Sequence, residues 1–189
     1  MFSPDAKLFL EDPFANRQPP NDFGVLFLLR RDIFKCMGIN PNTGDPIGYE
    51  AIWPGAIAIL AGIDLLGKFY AGEDKISESG PRFKNYIDKC FSGVSTNDKD
   101  IIYQLRNSLM HSFGLYAKSK NGSVYRFTLG HVNSFIVFTP PDKYSIDIKK
   151  LHVKFEDSIS QYCTYLAADI KLQNNFNLIY PNYGKIRIG

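Results

Sequence analysis

The stretch Asp147-Ile148-Lys149-Lys150-Leu151-His152-Val153-Lys154-Phe155-Glu156-Asp157-Ser158-Ile159 decides the fold. Its apolar residues, followed along the chain, are Ile148, Leu151, Phe155, Ile159, Tyr162, Leu166 and Ile170, at spacings of three and four. An α-helix turns about 100° per residue, so side chains at these spacings form one stripe. A stripe of that length packs along a whole bundle, and the pattern predicts one long C-terminal helix over about 147–173.

Upstream of this helix the period changes from helical to alternating. Residues 115–119 and 123–129 flank Asn121-Gly122, a dipeptide suited to the positive-φ positions of a tight hairpin turn. Residues 134–139 read as a third strand, ended by Pro140-Pro141. Four helices are predicted before the strands. The first covers 22–37, with Asp22 as N-cap and Gly38 as its stop. The second covers 54–71, where Ala56, Ala58, Ala61 and Gly62 permit close helix contact and Gly72 ends the run. The third, 81–91, opens with Pro81. The fourth starts near Asn97, with Asn97 and Asp100 at capping-box spacing, and stops at Gly114. Residues 1–20, ending in Gln18-Pro19-Pro20, read as an irregular arm with room for one short helical turn, 38–50 as a loop, and 174–189 as an extended tail. The expected fold is mainly α and a single domain: a helical bundle of about five helices, with a three-stranded antiparallel β-meander inserted at 113–139 before the long C-terminal helix.

The chain has 189 residues, 44% of them hydrophobic, enough to bury one sizeable core. Its 15 Phe and 11 Tyr argue against disorder. A net charge of +3 lacks the dense basicity of an obligate nucleic-acid binder, while leaving room for a local basic site. Cys36, Cys90 and Cys163 lie far apart in apolar helical contexts, with no CxxC or Cys/His ligand spacing. They read as buried free thiols in a reducing compartment, and no structural zinc is expected. The start Met-Phe-Ser-Pro-Asp lacks a basic n-region, and the longest apolar stretches, 25–29 and 56–67, are short or interrupted by Asp64. A signal peptide and a membrane span are therefore not expected, and the expected location is cytoplasmic. Asn121-Gly122-Ser123 matches a glycosylation sequon but reads as the hairpin turn.

The chemistry concentrates in Arg106-Asn107-Ser108-Leu109-Met110-His111. Asn107 and His111 lie one turn apart on one helix face, and Arg106 sits to the side with a long enough chain to reach them. Leu105 and Leu109 anchor the opposite side. Imidazole can give or take a proton near neutral pH. The Arg fork matches phosphate oxygens, and the Asn amide can donate to an oxyanion. The plain alternative is structural: Arg106 paired with an acid, Asn107 capping a loop, and His111 complementing the helix C-terminal dipole.

An Arg followed by a polar residue, with His four to six positions after the Arg near the end of a bundle helix, resembles the signature of the HEPN superfamily. Here it is carried by Arg106, Asn107 and His111. The helical core and long final helix resemble that fold as well. The resemblance implies metal-independent RNA cleavage in which Arg and His cooperate, often with the same pair from a second subunit. It thus implies a homodimer acting on RNA, with no cofactor.

Asp64 interrupts the apolar face of the second helix. A carboxylate there needs a partner: a neighbouring backbone or hydroxyl group on the plain reading, an ion pair with Arg106 or a bond orienting His111 on the sharper one. Arg82, beside Pro81 and near Lys84, stands at a helix start, where basic side chains can hold an anion; an ordinary solvated face is the alternative. The run Gly62 to Gly67-Lys68 mimics a P-loop but has Phe69 where Ser or Thr is required, and it falls inside a helix. His131 and His152 read as surface or structural. Tyr103, Tyr116 and Tyr125 can stack on bases or pack in the core and sheet. Besides a ribonuclease, the chain is compatible with a non-catalytic module binding nucleotide, nucleic acid or protein through the same patch, and with a purely structural or dimerising role for the motif.

Overall fold

The structure, a computed structural model, describes residues 2–16 and 21–188. Near its start the Ser3 hydroxyl accepts a hydrogen bond from the Ala6 amide (3.2 Å) and caps helix α1, Pro4–Phe9. Phe9 is fully buried, with its ring 4.3 Å from that of Phe69 and 5.6 Å from that of Phe176. The expected irregular arm is therefore partly helical; Gln18-Pro19-Pro20 lies outside the described residues. Strand β1, Asn21–Gly24, precedes helix α2, Val25–Cys36. Asp22 is thus a strand residue, and Gly24 takes the N-cap position predicted for it. A Cβ on Gly24 would come within 2.3 Å of the Leu8 carbonyl oxygen, so this approach of α1 requires glycine. The first amide of α2, Val25 N–H, has no side-chain cap and donates to the Gly184 carbonyl (3.0 Å).

Helix α3, Ile52–Ala71, is central, with Ala56, Ile59, Leu60, Ile63 and Leu66 fully buried. It ends, as predicted, at Gly72 in the left-handed region (φ 74°). By length and composition alone α3 could cross a membrane; half of its most apolar window is buried within the protein. Lys68 and its neighbours are ordinary helix, so the P-loop mimic has no free amide cradle. A 3-10 turn, Ile76–Glu78, leads to α4, Ser79–Cys90. Helix α5, Thr96–Ser112, has a capping box two residues earlier than predicted. Ser95 Oγ accepts from the Asp98 amide (3.1 Å), and the Asp98 carboxylate accepts from the Ser95 amide (3.2 Å). Asp100 pairs instead with Lys84 (2.6 Å). Phe113, not Gly114, occupies the left-handed C-cap of α5 (φ 48°).

Strands β2, Tyr116–Lys118, β3, Val124–Gly130, β4, Ile136–Thr139, and β5, Lys143–Asp147, form one mixed sheet in the order β2-β3-β5-β4. This overturns the three-stranded antiparallel meander. The β2–β3 hairpin forms at Asn121-Gly122, but β5 inserts between β3 and β4, parallel to β3 and antiparallel to β4. The missed strand has only five residues and runs directly into the helical pattern that follows. Its hairpin with β4 is local, but its parallel pairing with β3 spans an intervening strand, and no local signal marks that insertion. Tyr144 stands opposite both Phe127 and Phe138, giving one face an aromatic row. On the other face the Thr128 and Ser145 hydroxyls meet at 2.7 Å.

The expected single long C-terminal helix is two helices, α6, Ile148–Ala168, and α7, Ile170–Tyr183. Asp169 breaks them: its backbone is extended (φ −113°, ψ 112°), and its carboxylate caps the Lys171 and Leu172 amides at 2.7 and 3.3 Å. A side chain that caps a helix start competes with the helix running through it. The expected extended tail is therefore mostly helix. Only its end, β6, Lys185–Ile188, is extended, and it pairs antiparallel with β1. Among the described residues there are seven helices rather than about five. One contiguous apolar cluster joins α1 through α7, and Ala117, Phe127 and Ile146 dock the sheet onto it.

Candidate functional site

Helix α5 buries Ile101, Ile102, Leu105 and Leu109 and so fixes which side chains face outward. Arg106 and Asn107 are left half-buried at its flank, and His111, in the last turn, is exposed. Alongside, α3 presents Asp64 and Lys68, and α4 presents Arg82. Gly67 lets the α4 backbone lie close: a Cβ there would sit 3.3 Å from the Arg82 carbonyl oxygen. Between the three helices opens a cavity of about 510 Å³, lined by Asp64, Lys68, Asp74, Ser79, Arg82, Arg106 and His111.

Arg106 is the hub. Its Nε donates to Asp64 Oδ2 at 2.7 Å, and Nη2 donates to the same oxygen. The side chains of the pair are only 12% and 15% exposed, so both charges need each other. Of the two readings of Asp64, the ion pair with Arg106 is the one formed. Arg106 Nη1 reaches Asn107 Oδ1 and His111 Nε2, each at 3.2 Å. A ring nitrogen facing a guanidinium N–H is an acceptor, which assigns the imidazole proton to Nδ1. The three motif side chains therefore meet at one guanidinium. They do not share one cavity, however: Arg106 and His111 line the cavity above, and Asn107 opens into a neighbouring groove.

Arg82 is not on a solvated face. It is 6% exposed, its Nη1 donates to the Lys75 carbonyl (2.6 Å), and its Nε is buried without a hydrogen-bond partner. No carboxylate forms an ion pair with it among the described residues. A buried, incompletely satisfied guanidinium at a cavity wall favours an anion there. Two residues of the cavity, Lys68 and Asp74, and their neighbour Tyr183 carried no sequence signal as a group. Asp74 accepts a hydrogen bond from the Tyr183 hydroxyl (2.6 Å). That bond, with Lys68 and Arg82 nearby, holds its carboxyl below the usual range and pushes the Tyr183 hydroxyl up. Lys68 Nζ lies 3.9 Å from the centre of the Tyr183 ring. Only the fold brings α7 to α3, so spacing along the chain cannot reveal this cluster.

The remaining histidines are elsewhere. His131 is surface-exposed and contacts Glu50 at 2.8 Å; Glu50 also binds Lys149 at 2.6 Å. His152 is structural. It is buried against Phe34 (4.7 Å, 79° between rings), and burial holds its imidazole below the usual histidine range. No group of three or more His, Cys, Asp or Glu able to hold a metal ion occurs among the described residues.

Three cations facing two carboxylates, with an exposed imidazole beside them, can bind a phosphate and exchange a proton with a group attached to it. Comparison of the chain with protein-family models, with curated proteins and with solved structures finds no match.

Proposed function

We propose that this chain is a HEPN-like RNA-processing protein, a metal-independent endoribonuclease that works as a homodimer. The observation that carries the reading is the contact of Arg106 Nη1 with His111 Nε2 (3.2 Å) at the edge of an open, cation-rich cavity. In the proposed reaction the scissile phosphate displaces His111 from Arg106 and takes its place on the guanidinium. The freed Nε2 accepts the ribose 2′-hydroxyl proton as the 2′-oxygen attacks phosphorus. The P–O5′ bond breaks, the leaving oxygen takes up a proton, and a 2′,3′-cyclic phosphate remains. Arg106 and the fixed charge of Arg82 stabilise the phosphorane, and Asn107, from the neighbouring groove, positions the phosphate through Arg106, whose Nη1 it holds. Asp64 keeps Arg106 aimed.

Ile76, which lines the cavity, and Phe113, two residues past His111, are 91% and 73% exposed. A second copy seated against this apolar rim would bring its own Arg106 and His111 to the substrate.

The test is cleavage of RNA in excess chelator. His111→Ala and Arg106→Ala are each expected to lower the rate by about 100-fold or more. Wild-type cleavage by both variants sinks the assignment. One observation favours the alternative of a purely structural role for the motif: every guanidinium nitrogen of Arg106 already has a partner within the chain. Under that reading RNA is recovered intact and Arg106→Ala lowers stability.

A further inference from the structure

On the other side of α5 from His111 lies a second open groove of about 530 Å³, between α4, α5 and the β2–β3 hairpin. This size falls within the roughly 300–1,000 Å³ of small-molecule sites. Tyr103 and Tyr125 supply aromatic walls, Lys118 and Lys120 supply charge, and Gln104 and Asn107 supply amides. The Tyr103 and Tyr125 rings are held from behind. Tyr103 packs on Phe83 (5.7 Å) with its hydroxyl over Gly80 and Lys84 Nζ 5.0 Å from its ring centre, and Tyr125 stacks on Tyr144 (5.4 Å, 28°). Lys118 and Lys120 are exposed and form no ion pair among the described residues, whereas Lys84 is taken up by Asp100. The groove is thus positive at its hairpin rim and aromatic within.

We propose that this groove is a subsite for single-stranded RNA, seating one nucleotide beside the phosphate held by Arg106. It rests on reading Arg106 and His111 as the phosphate-reacting site. Asn107 lines the groove, and its side-chain oxygen accepts a hydrogen bond from the Arg106 Nη1 that faces the other cavity. A strand laid across α5 at Arg106 and Asn107 therefore passes from one cavity to the other without leaving the surface. Duplex bases keep their faces stacked and hidden, so only an unpaired base can lie against the Tyr125 ring, with Tyr103 and the Lys84 ammonium over it as the facing wall. The amides of Gln104 and Asn107 offer both donors and acceptors to its edge. Lys118 and Lys120 meet the phosphate on the far side of that base.

The experiment measures binding apart from cleavage, by fluorescence anisotropy of a labelled 2′-O-methyl RNA oligonucleotide. That probe lacks the attacking hydroxyl and cannot be cut. Tyr125→Ala is expected to weaken binding about tenfold, the scale of losing one stacked base, while Tyr125→Phe binds as the wild type. Lys118→Ala with Lys120→Ala, both on exposed positions, is expected to weaken binding and flatten its salt dependence. A matched duplex is expected to bind at least about tenfold more weakly. Unchanged affinity in the alanine variants, equal affinity for the duplex, or no binding of the probe overturns the proposal. Cleavage that persists while these variants bind normally removes this subsite and leaves the nuclease. Binding that depends on the groove in a chain that never cuts RNA keeps the subsite and removes the nuclease.

Discussion

An arginine, a carboxylate and a histidine meet twice in this molecule, with opposite accessibility. Arg106, Asp64 and His111 meet at a cavity mouth, with the imidazole exposed. Arg30, Glu156 and His152 meet under the surface of α2 and α6. There Arg30 Nε donates to both carboxylate oxygens (3.1 and 3.2 Å), its Nη1 donates to the Glu11 carbonyl, and His152 Nε2 is 3.8 Å from Glu156. His152 is 7% exposed, and its Nε2 has no hydrogen-bond partner. Having a base, a cation and a carboxylate together is not sufficient for chemistry. The imidazole must also be accessible, and of the two only His111 is exposed.

The largest difference between the two clusters is expected in activity. His111→Ala should lower RNA cleavage by about 100-fold and leave the thermal midpoint in place. His152→Ala should leave cleavage per folded molecule intact and lower stability by about 1–3 kcal/mol, read from the urea midpoint at constant m. A His152 variant that folds normally but fails to cleave would break the comparison.

A smaller effect should make the two clusters alike. Asp64→Ala and Glu156→Ala each strand a mostly buried guanidinium, at a cost of about 3 kcal/mol. If Asp64→Ala unfolds at the wild-type midpoint, Arg106 is solvated well enough to stand alone, and the network is looser than its geometry.

The smallest effect is in pH dependence, and it should separate the clusters again. Burial lowers the folded-state affinity of His152 for protons below that of the unfolded chain, whose ordinary histidine value is 6.5. The unfolded state then binds more protons, so stability rises with pH across this window. The His152 contribution is fully present above about pH 6.5 and is lost as the pH falls below it. His152→Phe should flatten the decline of the thermal midpoint between pH 7 and pH 5.

Legibility in the sequence followed the range of the interactions. Gly72 as a helix stop, the Asn121-Gly122 hairpin and the buried stripe of α6 are local patterns, and they were readable. So was the Arg106 to His111 segment, because its members fall within one and a half turns. Asp169 lay inside an otherwise continuous helical period, and only its capping of two amides shows that it ends one helix and begins another. β5 takes up its parallel place beside β3 across an intervening strand, and β1 pairs with β6 across most of the described chain, so neither of these pairings was announced locally. The candidate cavity divides in the same way. Its α5 residues were legible, whereas Lys68, Asp74 and Tyr183 become neighbours only when α3 meets α7. Arg82 was legible as a candidate but not as a buried group.

The bond from the Val25 amide to the Gly184 carbonyl has a consequence for the order of folding. Helix α2 lies far upstream of Gly184, yet its first turn is completed by that carbonyl. Until the two segments meet, the leading amide of α2 is held only by water, and β1 has an unpaired edge. Contacts of such high sequence separation form late, because the whole intervening chain must be ordered before they yield any stabilisation. The β1–β6 closure should accordingly be among the last native features to acquire hydrogen-exchange protection, well after the α3–α6 core.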